Sequence, residues 1–162
     1  MGAIIAYTDG SCNVKTRLGG YGALLRFYKK QIVEEVVLQG GYSNTTVSRM
    51  ELMAIIETLR TIKIKDKYKV IVISDSQYTV DSIEKGWVFR WRSEGFFERK
   101  NADLWTQFLI EYFKFPIGKL TFIHTRGHGK GLECYREGND IADKLADYKQ
   151  FKSYIPDEEK KI

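Results

Sequence analysis

The chain has 162 residues, of which 43% are hydrophobic, which is enough for one domain with its own core and argues against a second domain. Its formal net charge of +5 at pH 7 fits a polyanionic partner, although the same charge also keeps small domains soluble. The two cysteines match no metal-binding spacing and no apolar run is long enough to cross a membrane, so we expect a cytoplasmic protein with reduced thiols.

The first half of the chain predicts three strands followed by a helix. Residues 3–8 form a short apolar run, and residues 20–28 and 32–42 are two longer strand-like segments joined by a polar turn. From Ser48 to about Lys63 the apolar residues recur at helical spacing. Hairpins should therefore join the first three strands, and the helix should cross over to the next strand.

The second half predicts two further strands separated by helices. Its apolar runs are of strand length, and the segments between them carry apolar residues at helical spacing. The predicted elements are strands at residues 69–74 and 119–124, and helices from about Ser76 to Lys85, around Trp87 and Trp91, and over residues 104–112.

The connections between these strands predict the architecture. Hairpins make the first three strands antiparallel, and helical crossovers make strands 1, 4 and 5 parallel, so we expect an α/β fold with a five-stranded mixed sheet flanked by helices. A last amphipathic helix should run from near Asn139 to about Phe151. Residues 1–155 should form the single domain, and residues 156–162 a frayed charged tail.

Four acidic residues stand where this fold would bring them together. Asp9 follows the first apolar run and Asp75 the fourth, and the carboxyl ends of neighbouring parallel strands meet at one edge of the sheet. Glu51 lies in an otherwise apolar helix, and Asp143 lies on the last helix. Neighbouring carboxylates repel one another unless divalent cations neutralise them, and oxygen ligands suit Mg²⁺. This layout predicts a two-metal site.

Each acid also has a purely structural interpretation. An aspartate after a strand often only forms a turn or caps a helix, which would fit Asp75 before Ser76. Ser48 and Glu51 have the spacing of a capping box. Spacing alone does not choose among the acids of the last helix, which are Asp140, Asp143 and Asp147.

Seven short motifs occur in a fixed order that covers nearly the whole chain. They are DGSCN, GGYGALL, RMELMA, SDSQY, NADLW, TRGHG and GNDIADKLA. Their joint order and spacing resemble type 1 ribonuclease H. The resemblance implies an endonuclease that hydrolyses the RNA strand of RNA–DNA hybrids and leaves 3′-hydroxyl and 5′-phosphate ends.

The resemblance also implies catalytic roles. Asp9, Glu51, Asp75 and Asp143 match the family's four catalytic carboxylates, and Asp143 is selected because it fills the acidic place in the D-x-L-A motif. These four would hold two Mg²⁺ ions, with Mn²⁺ as a substitute. His128, in the glycine-flanked loop, matches a mobile histidine that assists proton transfer or product departure.

Recognition of the RNA strand requires contacts with its 2′-hydroxyl groups. In the family these contacts come from the backbone after the first aspartate and from polar side chains, and a basic segment grips the DNA strand. The substrate-binding residues implied here are Ser11, Cys12, Asn13, Ser48, Gln77, Trp87, Trp91 and Asn139.

Three departures from the family pattern concern substrate contacts rather than the carboxylates. Lys15 stands where asparagine is usual, Val47 stands where an amide is expected, and the basic segment between Trp87 and Leu104 is short. Its alternating basic and aromatic residues fit either of two arrangements. They could contact phosphates and sugars, or the aromatics could pack inward while the charges stay solvated.

Three other functions fit parts of the sequence. A DNA-directed nuclease of the same fold, such as a resolvase, would share the acidic cluster. A hybrid-binding module would bind the same substrate without cleaving it, and a structural domain would use the acids only as caps. The motifs favour an RNA–DNA hybrid as partner, and we expect a monomer with no membrane contact.

Overall fold

The structure is a computed structural model that describes residues 2–126 and 133–161, apart from the side chains of residues 33, 133 and 134. Across these ranges three consecutive strands come first and helices separate the later strands, and none of these helices could span a bilayer. The strands are β1 (Gly2–Cys12), β2 (Gly19–Lys29), β3 (Gln31–Ser43), β4 (Tyr68–Ser74), β5 (Leu120–His124) and β6 (Ile155–Pro156).

The strands form one mixed sheet in the order β5-β4-β1-β2-β3-β6. β1 is antiparallel to β2 and β2 to β3, while β4 is parallel to both β1 and β5. These directions confirm the predicted five-stranded mixed sheet. Hairpins make consecutive strands antiparallel, and helical crossovers make the strands that they connect parallel. The structure adds β6, which pairs in parallel with Tyr42 and Ser43 at the end of β3.

Five α-helices accompany the sheet within residues 2–126 and 133–161. The first four follow the predicted segments to within a few residues, and a short 3₁₀ turn at Tyr148–Gln150 follows the fifth. The helices are α1 (Val47–Thr61), α2 (Gln77–Glu84), α3 (Trp87–Ser93), α4 (Ala102–Tyr112) and α5 (Glu133–Ala146).

Two apolar clusters cover the two faces of the sheet. Ile4 and Ala6 of β1 belong to the larger cluster with α1 and α4, and Tyr7 belongs to a smaller cluster with Ala142 of α5. Successive side chains of a strand point to opposite faces, so β1 supplies both clusters in turn. The central strand is therefore covered on both sides, with α1 against one face and α5 against the other.

The last helix differs from its prediction at both ends. It begins at Glu133 rather than near Asn139, and it ends at Ala146 rather than near Phe151. At its end the side-chain amide of Gln150 donates to the carbonyls of Lys144 and Leu145, at 2.7 and 2.9 Å. These bonds satisfy carbonyls that have no partner within the helix, so the helix can stop there.

The prediction of a frayed tail from residue 156 is wrong. Asp157 is only 6% exposed, and its carboxylate accepts hydrogen bonds from Thr45 Oγ1 at 2.6 Å and from Arg49 Nε at 2.8 Å. Further along, the backbone amide of Lys160 donates to Asp103 at 3.1 Å. The charged tail is ordered because its carboxylate neutralises a buried arginine.

Arg49 joins three elements through this network. Its guanidinium is 3% exposed and contacts Asp103 at the start of α4 at 2.9 Å as well as Asp157 in the tail. Burial alone would lower the pKa of Arg49, but hydrogen bonds and charges of Asp157 and Asp103 raise it above its usual value. The tail, α1 and α4 are thus fixed to one another by a buried cation.

Removing one partner of this network should destabilise the fold strongly. We expect Asp157→Ala to lower the free energy of unfolding by roughly 3–5 kcal/mol, because it leaves a buried guanidinium without one of its counter-ions. Urea unfolding at pH 7 measures the loss. Glu158→Ala, which removes the adjacent exposed carboxylate, is the matched control and should change stability by less than about 0.5 kcal/mol. Equal effects of the two variants would show that the network contributes nothing specific.

The same network gives the protein a defined sensitivity to acid. Burial alone would raise the pKa of Asp103, but hydrogen bonds from Arg49 and from the backbone amide of Lys160 hold the pKa below its usual value. A carboxylate with a lowered folded-state pKa stabilises the fold above its unfolded pKa of about 3.9, and this contribution disappears as the pH falls through the folded value. Asp103→Asn should therefore flatten the loss of stability below about pH 4 in a pH series of urea unfolding curves.

Candidate active site

Asp9 and Asp75 lie side by side where β4 ends beside its parallel neighbour β1. In the register of β1 and β4, Thr8 is paired with Ser74, so Asp9 and Asp75 both follow that pair. β1 continues to Cys12, and Asp9 is therefore within the strand, opposite Gly22 of β2, rather than at its end. Its carboxylate is 7% exposed and accepts a hydrogen bond from the amide of Gly10 at 2.9 Å.

Glu51 reaches the same place from α1. A side chain at Gly10 would collide with the backbone amide of Glu51, so the missing Cβ lets α1 lie directly on β1. The capping-box interpretation of Glu51 is wrong, because Thr46 caps the helix by accepting from the amide of Arg49. Glu51 is instead 5% exposed, and its Oε2 atom has no hydrogen-bond partner among the described residues.

The neighbours of Asp75 perform the structural work at the start of α2. The hydroxyl of Ser76 accepts from the amide of Thr79 at 3.3 Å and so caps the helix, as its position in the sequence suggested. The ring of His124 contacts the backbone carbonyl of Asp75 at 3.2 Å. Because Ser76 supplies the cap, the Asp75 side chain is not needed for it.

Asp143 stands on α5 at the open side of the same cleft and is exposed to solvent. Asp147 has a different place, since its carboxylate accepts from the amide of Lys149 and caps the 3₁₀ turn. Of the three acids left open by spacing, Asp143 is the one that lines the cleft. The cleft is lined by Asp9, Gly10, Ser11, Cys12, Val47, Ser48, Glu51, Asp75, Ser76 and Asp143.

The electrostatics of this cluster favour a bound cation. Carboxylate oxygens of Asp9, Glu51 and Asp75 all lie within 4.8 Å of one another. Burial raises the pKa of Asp9 to about 8, and the charge of Asp75 and the adjacent carboxyl of Asp143 add to the effect. Burial, followed by the charges of Asp9 and Asp75, also raises the pKa of Glu51. The three oxygen donors and the unpartnered Oε2 atom fit a hard divalent cation such as Mg²⁺.

The residues predicted to contact substrate fall into different environments. Ser48 is exposed on the cleft wall, while Gln77 is exposed and donates to Asp81 at 2.9 Å. The thiol of Cys12 is half-buried and lies 3.5 Å from the carbonyls of Asn13 and Thr45. The Ser48 hydroxyl thus faces the cleft with no hydrogen bond to another described residue, whereas the Gln77 amide, outside the cleft lining, is bonded to Asp81.

Ser11 and Asn13 are both engaged within the protein. The hydroxyl of Ser11 bonds to the end of α5, and the carboxamide of Asn13 accepts from the amides of Lys15 and Thr16 and donates to the hydroxyl of Tyr148. Their side chains thus shape the turn after β1 and fasten it to the end of α5.

The structure corrects the predicted role of Trp91. This residue is 3% exposed and packs against Trp105, with the guanidinium of Arg99 4.8 Å from its ring centroid, so its ring cannot stack on a substrate. Trp87 is half-buried beside Tyr78, and Asn139 is half-buried on α5 with its Nδ2 atom unpartnered among the described residues. Of the two arrangements open for this segment, inward packing holds for Trp91.

His128 lies outside the described residues. The sequence did not identify two further residues of the cleft wall, Ser76 and Gly10. Gly10 is the residue at which α1 approaches β1 closely. Both stand next to a candidate carboxylate, and that adjacency was the available signal.

Removing one carboxylate should stabilise the metal-free protein. Asp9 is buried beside Asp75 and Glu51, so we expect Asp9→Asn to raise the free energy of unfolding by roughly 1–3 kcal/mol at pH 8 in the presence of a chelator. Mg²⁺ should then stabilise the wild type more than the variant. Asp66→Asn, at a remote exposed aspartate, is the control and should have an effect below about 0.5 kcal/mol. A clear loss of stability in Asp9→Asn would contradict repulsion within the cluster.

Comparison with known proteins finds one family along most of the chain. A family model described as RNase H matches residues 1–150. The ribonuclease H of Desulforamulus reducens is 38% identical over 137 residues, which is 81% of this chain and 82% of the relative. The ribonuclease H of Trichodesmium erythraeum is 38% identical over 148 residues, which is 88% of this chain and 85% of the relative. The ribonuclease HI of a Synechocystis strain is 32% identical over 89% of this chain and 85% of its own length.

Solved structures show the same fold. The PFV RNase H domain, determined in solution, has a TM-score of 0.68 at 26% identity and covers 90% of this chain and 93% of that domain. The crystal structure of LC9-RNase H1, a type 1 RNase H, has a TM-score of 0.73 at 24% identity over 90% of this chain and 71% of its own. The second likeness concerns the fold alone.

Proposed function

The chain belongs to the ribonuclease H family, and from that premise we propose that it hydrolyses the RNA strand of RNA–DNA hybrids by metal-dependent endonucleolytic cleavage at the cleft beside Asp9. The observation that carries the proposal is the cluster of Asp9, Glu51 and Asp75, whose carboxylate oxygens lie within 4.8 Å of one another. The products would be a 3′-hydroxyl and a 5′-phosphate end.

Four carboxylates have distinct positions for holding two divalent cations, which we propose to be Mg²⁺, with Mn²⁺ as a substitute. Asp9 is central and buried, so it is the candidate to contact both ions, with Glu51 and Asp75 beside it. Asp143 approaches from the solvent side of the cleft, where a phosphate would enter. When bound, the cations supply the acidity that activates water and the charge that stabilises the leaving 3′ oxygen.

The protein groups at the rim would select the substrate. Ser48 is exposed in the cleft wall, where its hydroxyl can donate to or accept from a 2′-hydroxyl of the RNA strand. Gln77 is exposed at the start of α2 and is a second candidate, although it must exchange its bond to Asp81. The backbone groups of Cys12 and Asn13, at the end of β1, complete the proposed contact surface.

Further parts of the proposal rest on the family pattern. His128, by the family pattern alone, would assist proton transfer or product departure. Trp87 and Asn139 are kept as substrate contacts, each half-buried in the structure. We also propose that the protein acts as a monomer, in the cytoplasm, and that residues 1–155 form one ribonuclease H domain.

One cleavage assay tests the reaction and its substrate class. The purified chain is incubated with a labelled RNA–DNA hybrid, duplex DNA, duplex RNA and a four-way junction, each with Mg²⁺ or with chelator. We expect cleavage of the hybrid's RNA strand alone, and its loss with chelator. Cleavage of duplex DNA or of the junction would identify a DNA-directed nuclease instead. Tight hybrid binding without cleavage would identify a binding module.

Substitutions then assign the carboxylates. Asp75→Asn and Asp143→Asn should each lower kcat by at least about 100-fold, because the metal-bound charge in the transition state loses a ligand. Asp140→Asn is the matched control, since Asp140 lies on the same helix but does not line the cleft. If Asp140→Asn were inactive and Asp143→Asn active, the assignment on α5 would be wrong.

A further inference from the structure

We propose that Ser11 is a positioning residue that holds α5, and through it Asp143, in place at the metal site. This role differs from the substrate contact that the sequence implied for Ser11. The inference rests on the proposed function, because it takes Asp143 to be a metal ligand. Three observations on how α5 is held against the sheet carry it.

The first observation is the pair of hydrogen bonds made by the Ser11 hydroxyl. It donates to the carbonyl of Ala146, the last residue of α5, at 2.5 Å, and it accepts from the amide of Tyr148 at 3.1 Å. The last carbonyls of a helix have no partner within the helix, so Ser11 caps α5 from a different element. A hydroxyl has a single hydrogen to donate, and this one is already used.

The second observation is the close approach of the same carbonyl to β2. Gly20 is the register partner of Ser11, and a Cβ at Gly20 would lie 2.6 Å from the carbonyl oxygen of Ala146. The end of α5 is therefore seated on the sheet at one point, where Ser11 binds it and Gly20 makes room for it. A neighbouring bond, from Asn13 to the hydroxyl of Tyr148 at 3.2 Å, ties the following turn to the same place.

The third observation is a second anchor nearer the start of α5. Arg26 of β2 forms a salt bridge to Glu137 at 2.6 Å, and its guanidinium also contacts Glu35 of β3 at 3.1 Å. Asp143 lies between Glu137 and Ala146, so the helix is fixed on both sides of it. The Asp143 side chain itself is exposed, and the position of its carboxylate follows from the position of the helix.

Ser11 and its partner Ala146 each lie close in sequence to a proposed metal ligand. Ser11 follows Asp9 by two residues on β1, and Ala146 follows Asp143 by three residues, which is about one helical turn. The hydroxyl thus couples the strand that carries one ligand to the helix that carries another. Groups that orient metal ligands in this way typically change metal affinity by 10–100-fold when they are removed.

Ser11→Ala should therefore change metal dependence and leave substrate binding intact. We expect the Mg²⁺ concentration for half-maximal cleavage to rise about tenfold. Hybrid affinity, measured by anisotropy with Ca²⁺ in place of Mg²⁺, should stay within about twofold because the Ser11 hydroxyl already donates its hydrogen to Ala146 and accepts from Tyr148. In the metal-free protein the amide of Tyr148 should exchange its hydrogen about tenfold faster, because it loses its acceptor.

Companion variants separate positioning from other roles. Ser11→Thr keeps the hydroxyl and should restore the wild-type Mg²⁺ profile. Gly20→Ala should reproduce the raised Mg²⁺ requirement by displacing the Ala146 carbonyl, and it provides the test if Ser11→Ala does not fold. Ser48→Ala is the contrast, since its exposed hydroxyl should affect hybrid affinity and not the Mg²⁺ requirement.

Opposite outcomes would overturn the inference. Weaker hybrid binding in Ser11→Ala with an unchanged Mg²⁺ profile would make Ser11 a substrate contact, and unchanged values throughout would leave it without a role. Neither result would contradict the proposed function as long as Asp143→Asn is inactive. If the wild type failed to cleave hybrid at any Mg²⁺ concentration, the proposed function itself would be overturned.

Discussion

The cleft depends on how closely two helices approach the central strands. α1 lies on β1 at Gly10, and the end of α5 lies on β2 at Gly20, in both cases because the strand has no side chain at the contact. Asp9 directly precedes Gly10 on β1 and pairs with Gly22 of β2, and it lines the same cleft as Glu51 and Asp143. Packed protein interiors are dense and deform little. The positions of α1 and α5 therefore determine where the carboxylates of Glu51 and Asp143 lie.

Two groups of carboxylates in this protein differ in whether an arginine neutralises them. Asp157 and Asp103 are paired with the buried guanidinium of Arg49, which holds the pKa of Asp103 low despite its burial. Asp9 and Glu51 are as deeply buried, but the described residues form no salt bridge to them and their pKa values are raised. Among the described residues, Asp9, Glu51 and Asp75 thus lack the arginine that neutralises the other group, and their clustered carboxylate oxygens fit a divalent cation. Repulsion among these carboxylates lowers the free energy of unfolding of the metal-free protein. The proposed reaction needs their negative charge at the same place.

The sequence was sufficient for the sheet and for the grouping of the carboxylates. Strand directions follow from the lengths of the connections, and the placement of Asp9 beside Asp75 follows from the pairing of two neighbouring parallel strands, although β1 continues past Asp9 to Cys12. What it could not provide were contacts between distant segments. The bond from Ser11 to Ala146 spans 135 residues and that from Thr45 to Asp157 spans 112, and neither leaves a periodic pattern. The prediction of a frayed tail failed for that reason. The charges of the tail indicate a solvated segment, and the sequence does not show that Arg49 is buried.

The segment around α3 shows how the same pattern can serve a core and a charged surface together. Val88 and Trp91 are three residues apart, which places both on one face of the helix, and both are buried. Arg90 and Arg92 are exposed, as are Arg99 and Lys100 beyond the helix. Helical geometry therefore divides the alternating residues between interior and solvent. The exposed arginines and lysine, rather than the Trp91 ring, are what this segment presents to a polyanion, and attraction of that kind weakens as counter-ions accumulate at higher salt.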